Sequence, residues 1–146
     1  MKYLLGILLL AACQPRDFYA EKQFEYECWV LQDTFVFAYE NPAADAALSL
    51  DFSVDFLEEY AFRNLFLKIT TTSPSGQRSD FLLNDTLQDE AGNWRVERSR
   101  RRDSVGFSPP LDVALPEVGA WRFQVIQYMR EDTLCEIAQV GVSLRP

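Results

Sequence analysis

The chain has 146 residues, with 22 acidic against 14 basic side chains, no histidine and three cysteines. Without an imidazole there is no Ser-His-Asp or Cys-His triad and no histidine-ligated zinc or haem, and three cysteines cannot build a four-thiolate zinc site. A net charge of −8 runs against nucleic acid as a partner, since phosphate binding needs surplus Lys and Arg, while 48% hydrophobic and 14% aromatic content is ample for the core of one domain.

Met1-Lys2 is a one-charge start, and residues 3–12 form an apolar run about half as long as the roughly 20 residues of a membrane-spanning helix. The run ends Leu10-Ala11-Ala12-Cys13. This order of a branched apolar residue, two small residues and a cysteine resembles the lipobox of bacterial lipoproteins. The expected organisation is a signal peptide over 1–12, a lipid-bearing Cys13, a polar tether over 13–23 and a single domain over 24–146. Loss of Lys2 would take the net charge from −8 to −9. Two or three acyl chains, at roughly 0.8 kcal/mol per buried CH₂, hold such a protein to a bilayer on any useful timescale. Only Asp17 is acidic close behind Cys13, with Arg16 beside it. That is a poor match to acidic surface-export signals, so the periplasmic face of the outer membrane is the expected location.

Beyond the tether the sequence reads as strands. From 48 to 56, Leu48, Leu50, Phe52, Val54 and Phe56 alternate with Ser49, Asp51, Ser53 and Asp55 without exception, the pattern of a half-buried strand. Residues 31–39, 121–125 and 140–144 repeat the period of two. Residues 64–72 are rich in β-branched and apolar side chains and close on Ser73-Pro74-Ser75-Gly76, a turn from which a hairpin partner over 77–84 returns. No stretch carries a convincing helical period. About nine short strands with frequent turns predict an all-β fold, an antiparallel β-sandwich of jelly-roll-like type. The in-phase residues Leu50, Phe52, Val54, Leu65, Leu67, Trp121, Phe123 and Val142 are its expected core.

The groups that carry chemistry elsewhere are sparse. Asp51 and Asp55 share one strand face, but four residues separate them by about 13 Å, beyond the roughly 5 to 9.5 Å between the two carboxylates of a glycosidase. The acidic stretch 85–93 resembles a calcium loop only loosely, because Leu87 or Ala91 falls where a third-position ligand belongs. Neither a catalytic residue nor a metal or cofactor is expected. Arg98, Arg100, Arg101 and Arg102 form the only basic run, able to meet lipid phosphates or an acidic partner or to act as a local counterweight. Tyr60 and Phe62 break the alternation beside Glu58 and Glu59. They either cap an open end of the sandwich or offer a partner an exposed edge. Trp94, in phase with Val96, reads as core in preference to a sugar-stacking platform. Cys28 and Cys135 are the two thiols left once Cys13 carries lipid. Outside the cytoplasm they form either a disulfide or two buried, inert thiols.

Several segments, taken in order, carry a resemblance: 60–67 (Tyr60-Ala61-Phe62-Arg63-Asn64-Leu65-Phe66-Leu67), 73–76, 85–94, 119–130 ending Gln127-Tyr128-Met129-Arg130, and 140–145. Joined to the lipobox, they resemble the gliding motility lipoprotein GldH family of the Bacteroidetes. One departure is that Arg95-Val96-Glu97-Arg98-Ser99-Arg100 stands where the family tends to have a glycine-rich stretch after the tryptophan. The resemblance implies a lipid-anchored protein without enzymatic activity, associated with gliding machinery and a linked protein secretion system, whose partners are the membrane and other machinery proteins. Such a component predicts no small-molecule pocket. The alternative, a glycan-binding or glycan-processing sandwich, predicts at least two coplanar exposed aromatic rings beside a carboxylate.

Overall fold

Strict alternation over 48–56 makes the longest strand of the protein, because a period of two sends every second side chain to one face of a pleated strand. The structure, a computed structural model, describes residues 18–57, 59–95, 97–98, 103–106 and 110–145. In chain order the strands are β1 (Phe18–Gln23), β2 (Cys28–Val30), β3 (Phe35–Asn41), β4 (Ala46–Phe56), β5 (Asn64–Thr72), β6 (Arg78–Thr86), β7 (Glu97–Arg98), β8 (Asp103–Gly106), β9 (Leu111–Leu115), β10 (Gly119–Gln127), β11 (Thr133–Cys135) and β12 (Ile137–Arg145). A single 3₁₀ turn, Glu25–Glu27, separates β1 from β2.

Two sheets face each other. In the first the order is β1-β12-β4, and the far edge of β4 is shared by β9 against residues 46–50 and β8 against residues 53–56, with β7 beyond β8. In the second the order is β3-β10-β5-β6. Every pairing is antiparallel. The chain passes from β3 to β4, back to the β5–β6 hairpin, across to β8 and β9, back to β10 and across to β12. That alternation between two sheets is the jelly-roll arrangement, in which successive crossings interlock the layers. A short third ladder, β2 with β11, lies apart from both sheets.

The core fills the space between the layers. Leu48, Leu50, Phe52, Val54 and Phe56 of β4 and Val140, Val142 and Leu144 of β12 meet Leu65, Leu67 and Ile69 of β5, Phe35 and Phe37 of β3, and Trp121, Phe123 and Val125 of β10. All eight expected core residues are buried. Phe37 and Phe123, direct cross-strand partners, stack with ring centroids 4.9 Å apart. Such aromatic pairs add about 0.5–1.5 kcal/mol beyond the area they bury.

Two expectations need correction. The tether was expected to run to residue 23, but 18–23 is β1, paired residue by residue with β12. As an edge strand it turns only Phe18, Ala20 and the stem of Lys22 inward, so its alternation is too dilute to read. The strand expected from Leu31 begins at Phe35 instead, because Asp33 N–H bonds back to the Val30 carbonyl and turns the chain.

Candidate functional site

The strand-borne carboxylates do not converge. Asp51 and Asp55 project from the outer face of the first sheet, where Asp51 forms an ion pair with Arg145. Near Asp55, Tyr19 lies over Gly141, whose added Cβ would meet the Tyr19 hydroxyl at 2.9 Å and Ser53 Oγ at 2.8 Å. Burial, then the hydrogen bond to Glu21, pushes the Tyr19 phenol up to about 12. This is a packed, hydrogen-bonded sheet surface.

The acidic stretch 85–93 closes on itself. Asp89 accepts from the Asn93 backbone N–H and amide, at 2.8 and 3.1 Å, and Arg63 donates to the Asp89 carbonyl. The Asn93 bonds, side chain first and then backbone, hold the Asp89 carboxyl below its ordinary range. Asp85, buried, pairs with Arg95 at 3.1 Å, and the same guanidinium donates to the Thr86 carbonyl at 2.8 Å. Arg95 therefore fastens the loop to the end of β6. Among the described residues no group of three or more His, Cys, Asp or Glu is placed to hold a metal.

Tyr60 is the end cap and not an exposed edge. It is 4% exposed, its hydroxyl donates to the Asn64 carbonyl at 3.2 Å, and its ring packs 6.4 Å from Phe56 and 6.3 Å from Trp94. Trp94, half-buried, is tilted 41° to Phe56 and 46° to Tyr60, so these rings form no coplanar platform. Phe62 lies edge-on to Tyr60 and reaches the surface.

There Phe62 joins a groove of about 670 Å³ at one end of the second sheet's outer face, lined also by Asn64, Phe66, Leu82, Tyr128, Met129, Arg130 and Glu131. Phe66 and Leu82 sit at outward positions of β5 and β6, and Leu82 is 63% exposed. The wall is built by the segment after β10. Gln127, fully buried, donates to the Glu131 carbonyl at 2.7 Å and accepts from Met129 N–H at 2.9 Å. Tyr128 N–H bonds to the Phe66 carbonyl, and Phe66 N–H to Met129 Sδ. The groove is open and mostly apolar, which differs from the expectation of no pocket. Two segments that carry the family resemblance, 60–67 and 127–130, meet in it. Sequence reasoning singled out Phe62 alone. The readable signal was Phe66 and Leu82, apolar residues at positions facing out of the sandwich.

The remaining expected residues lie elsewhere. Cys28 and Cys135 are register partners of β2 and β11, and the structure joins them in a disulfide with Cα atoms 3.9 Å apart. Cys13, Arg100, Arg101 and Arg102 lie outside the described residues, and of Arg98 only the backbone, in β7, is described.

No curated protein matches the chain. Among solved structures it is similar to the infectious bursal disease virus VP2 subviral particle, at 13% identity and a TM-score of 0.45, over 97% of this chain and 37% of that one. It is also similar to infectious bursal disease virus Gt strain, at 10% identity and a TM-score of 0.31, over 98% of this chain and 37% of that one. The chain thus spans little more than a third of those viral chains. No helix among the described residues is long and apolar enough to cross a membrane. The pattern of the GldH lipoprotein family matches residues 17–144, from just ahead of β1 to the end of the core in β12, and on that match the chain belongs to the GldH lipoprotein family.

Proposed function

We propose that the protein is a non-catalytic, lipid-anchored component of the bacterial envelope, held through Cys13 on the periplasmic face of the outer membrane, that supports gliding motility and the linked secretion machinery. The observation that carries this reading is the family match over 17–144. The apolar groove supports it. An exposed leucine and phenylalanine beside Tyr128 and Met129 are costly to leave in water and are covered at low cost by another polypeptide. The groove adjoins β6, an edge strand for which no partner beyond β5 is described, and β6 carries Phe81-Leu82-Leu83 at its centre. The occupant that fits is an extended, apolar segment of a machinery protein, added as a strand to β6 with its side chains in the groove. The glycan alternative loses two of the rings it rested on, since Tyr60 is buried and Trp94 is tilted against its neighbours.

Deletion of the gene tests the reading. It predicts reduced spreading on surfaces and less machinery-exported protein outside the cell, both restored by the intact gene. Wild-type spreading and export in the deletion strain would overturn it.

A further inference from the structure

The register fixes where the lipid must lie relative to the fold. Phe18 pairs with Leu144, which pairs with Leu50, so β1 enters level with the middle of β4. From Leu50 the near end of β4, at Ala46, is four residues away, about 13 Å, and the far end, at Phe56, is six residues away, about 20 Å. Five residues separate Cys13 from Phe18, a reach of at most about 18 Å. A chain of that length passes the near end of the sandwich and falls short of the far end.

The near end is formed by three loops, 42–45 after β3, 73–77 after β5 and 116–118 after β9, which the strand registers bring to one level. They interlock. Asn41 Nδ2 donates to the carbonyls of Ala43, Leu115 and Glu117, at 2.7, 3.3 and 2.8 Å. Ser75 donates through its N–H and Oγ to the Glu117 carboxylate, at 3.0 and 2.8 Å, and an added Cβ on Gly119 would come within 3.3 Å of Pro74. Small apolar residues make much of the surface of these loops, with Pro42, Ala43, Ala44, Pro74 and Pro116 exposed and Val118 58% exposed, beside the polar Asp45, Ser75 and Gln77. Asp45 and Glu117 are their own charged residues, and the exposed Arg78 and Arg122 flank loop 73–77 at the same end. The hydroxyls of Ser75 and Ser73 keep Glu117 ionised by holding its carboxyl below the ordinary range. The far end, by contrast, bears Glu25, Glu27, Glu59, Arg63, Arg130 and Glu131.

We infer that the loops 42–45, 73–77 and 116–118 seat the domain on the headgroups of the phospholipid bilayer that holds Cys13, with the groove held at the opposite end, away from lipid. The inference rests on the lipid-anchor reading of Cys13. Tether length selects the end, and the small apolar residues of its loops are the surface that meets the headgroups.

The acylated full chain, bound to phosphatidylethanolamine–phosphatidylcholine vesicles, provides the test. Fluorophores are attached through Val118→Cys at the near end, Leu82→Cys at the groove and Tyr26→Cys at the far end, where Tyr26 is 94% exposed. A headgroup-bound nitroxide should quench the Val118→Cys fluorophore several-fold more than the other two. Equal quenching at all three sites, or the strongest quenching at Leu82→Cys, would overturn the seating while leaving the anchor intact. Failure of the protein to float with the vesicles would overturn the anchor reading and the seating with it.

Discussion

Asn41 shows how one side chain can hold several segments. It is buried, and the two hydrogens of its amide nitrogen are shared among three carbonyls, of Ala43 in loop 42–45, Leu115 at the end of β9 and Glu117 in loop 116–118. Asn41→Ala should destabilise the fold by about 2 kcal/mol, since each lost bond strands a carbonyl at a cost of roughly 1–3 kcal/mol, part of which water recovers. Urea unfolding checks this, with the midpoint shifting and the slope unchanged. Tyr60 sets the alkaline limit. Burial raises its phenol above the ordinary value, so the stability it contributes is fully present below the unfolded pKa of about 10 and is lost as pH rises through the folded pKa. Tyr19 has the same sign. Tyr60→Phe should flatten the fall in stability between pH 9 and 11, measured by urea unfolding at each pH. Asp80, Asp89 and Glu117 have lowered pKa values from hydrogen bonds, and act at the opposite limit. Their contribution is present above the unfolded range near about pH 4 and is lost as pH falls through the lower folded values.

At the scale of elements, the β2–β11 ladder is short, three residues on each side, and lies apart from both sheets. Trp29 and Leu134 are opposite one another and buried, Trp29 stacks on Phe24 at 4.6 Å, and its indole N–H donates to the Asp33 carbonyl. Against these contacts, Tyr26, Glu27 and Glu136 hold left-handed backbone, which costs a non-glycine residue roughly 1–2 kcal/mol. The Cys28–Cys135 disulfide closes this end across 107 residues, and chain-entropy arithmetic gives a loop of that length roughly 4–5 kcal/mol at most. The protein, unfolded without reductant, should therefore show no labelled thiol at Cys28 or Cys135, and labelling of both would contradict the bond. Legibility at this scale followed burial on one face. β4 is paired on both edges and covered on one face, so its alternation is complete. β1 is an edge strand with few inward residues, and the β2–β11 ladder is too short to show a period.

For the whole molecule, the sandwich was legible because both sheets bury one face against the other, which writes alternation into β3, β4, β5, β10 and β12 alike. Strand order was not, since β12 lies between β1 and β4 through contacts far apart in the chain that leave no local trace. The groove was hidden for the same reason. Its residues come from the β4–β5 connection, β5, β6 and the segment after β10, and only the fold brings them together. Asp51 and Asp55, by contrast, lie four residues apart on one face of β4 and have different neighbours, one paired with Arg145 and the other facing Tyr19. The central claim is that the protein works by binding at the groove and not by turnover at a carboxylate. Its most direct test is complementation of a deletion strain by two variants shown by circular dichroism to be folded and by fractionation to be membrane-bound. Leu82→Glu, which places a charge in the groove at an exposed position, should fail to restore spreading and export, while Asp51→Asn with Asp55→Asn should restore both. Full rescue by Leu82→Glu together with failure of the double amide variant would contradict the account.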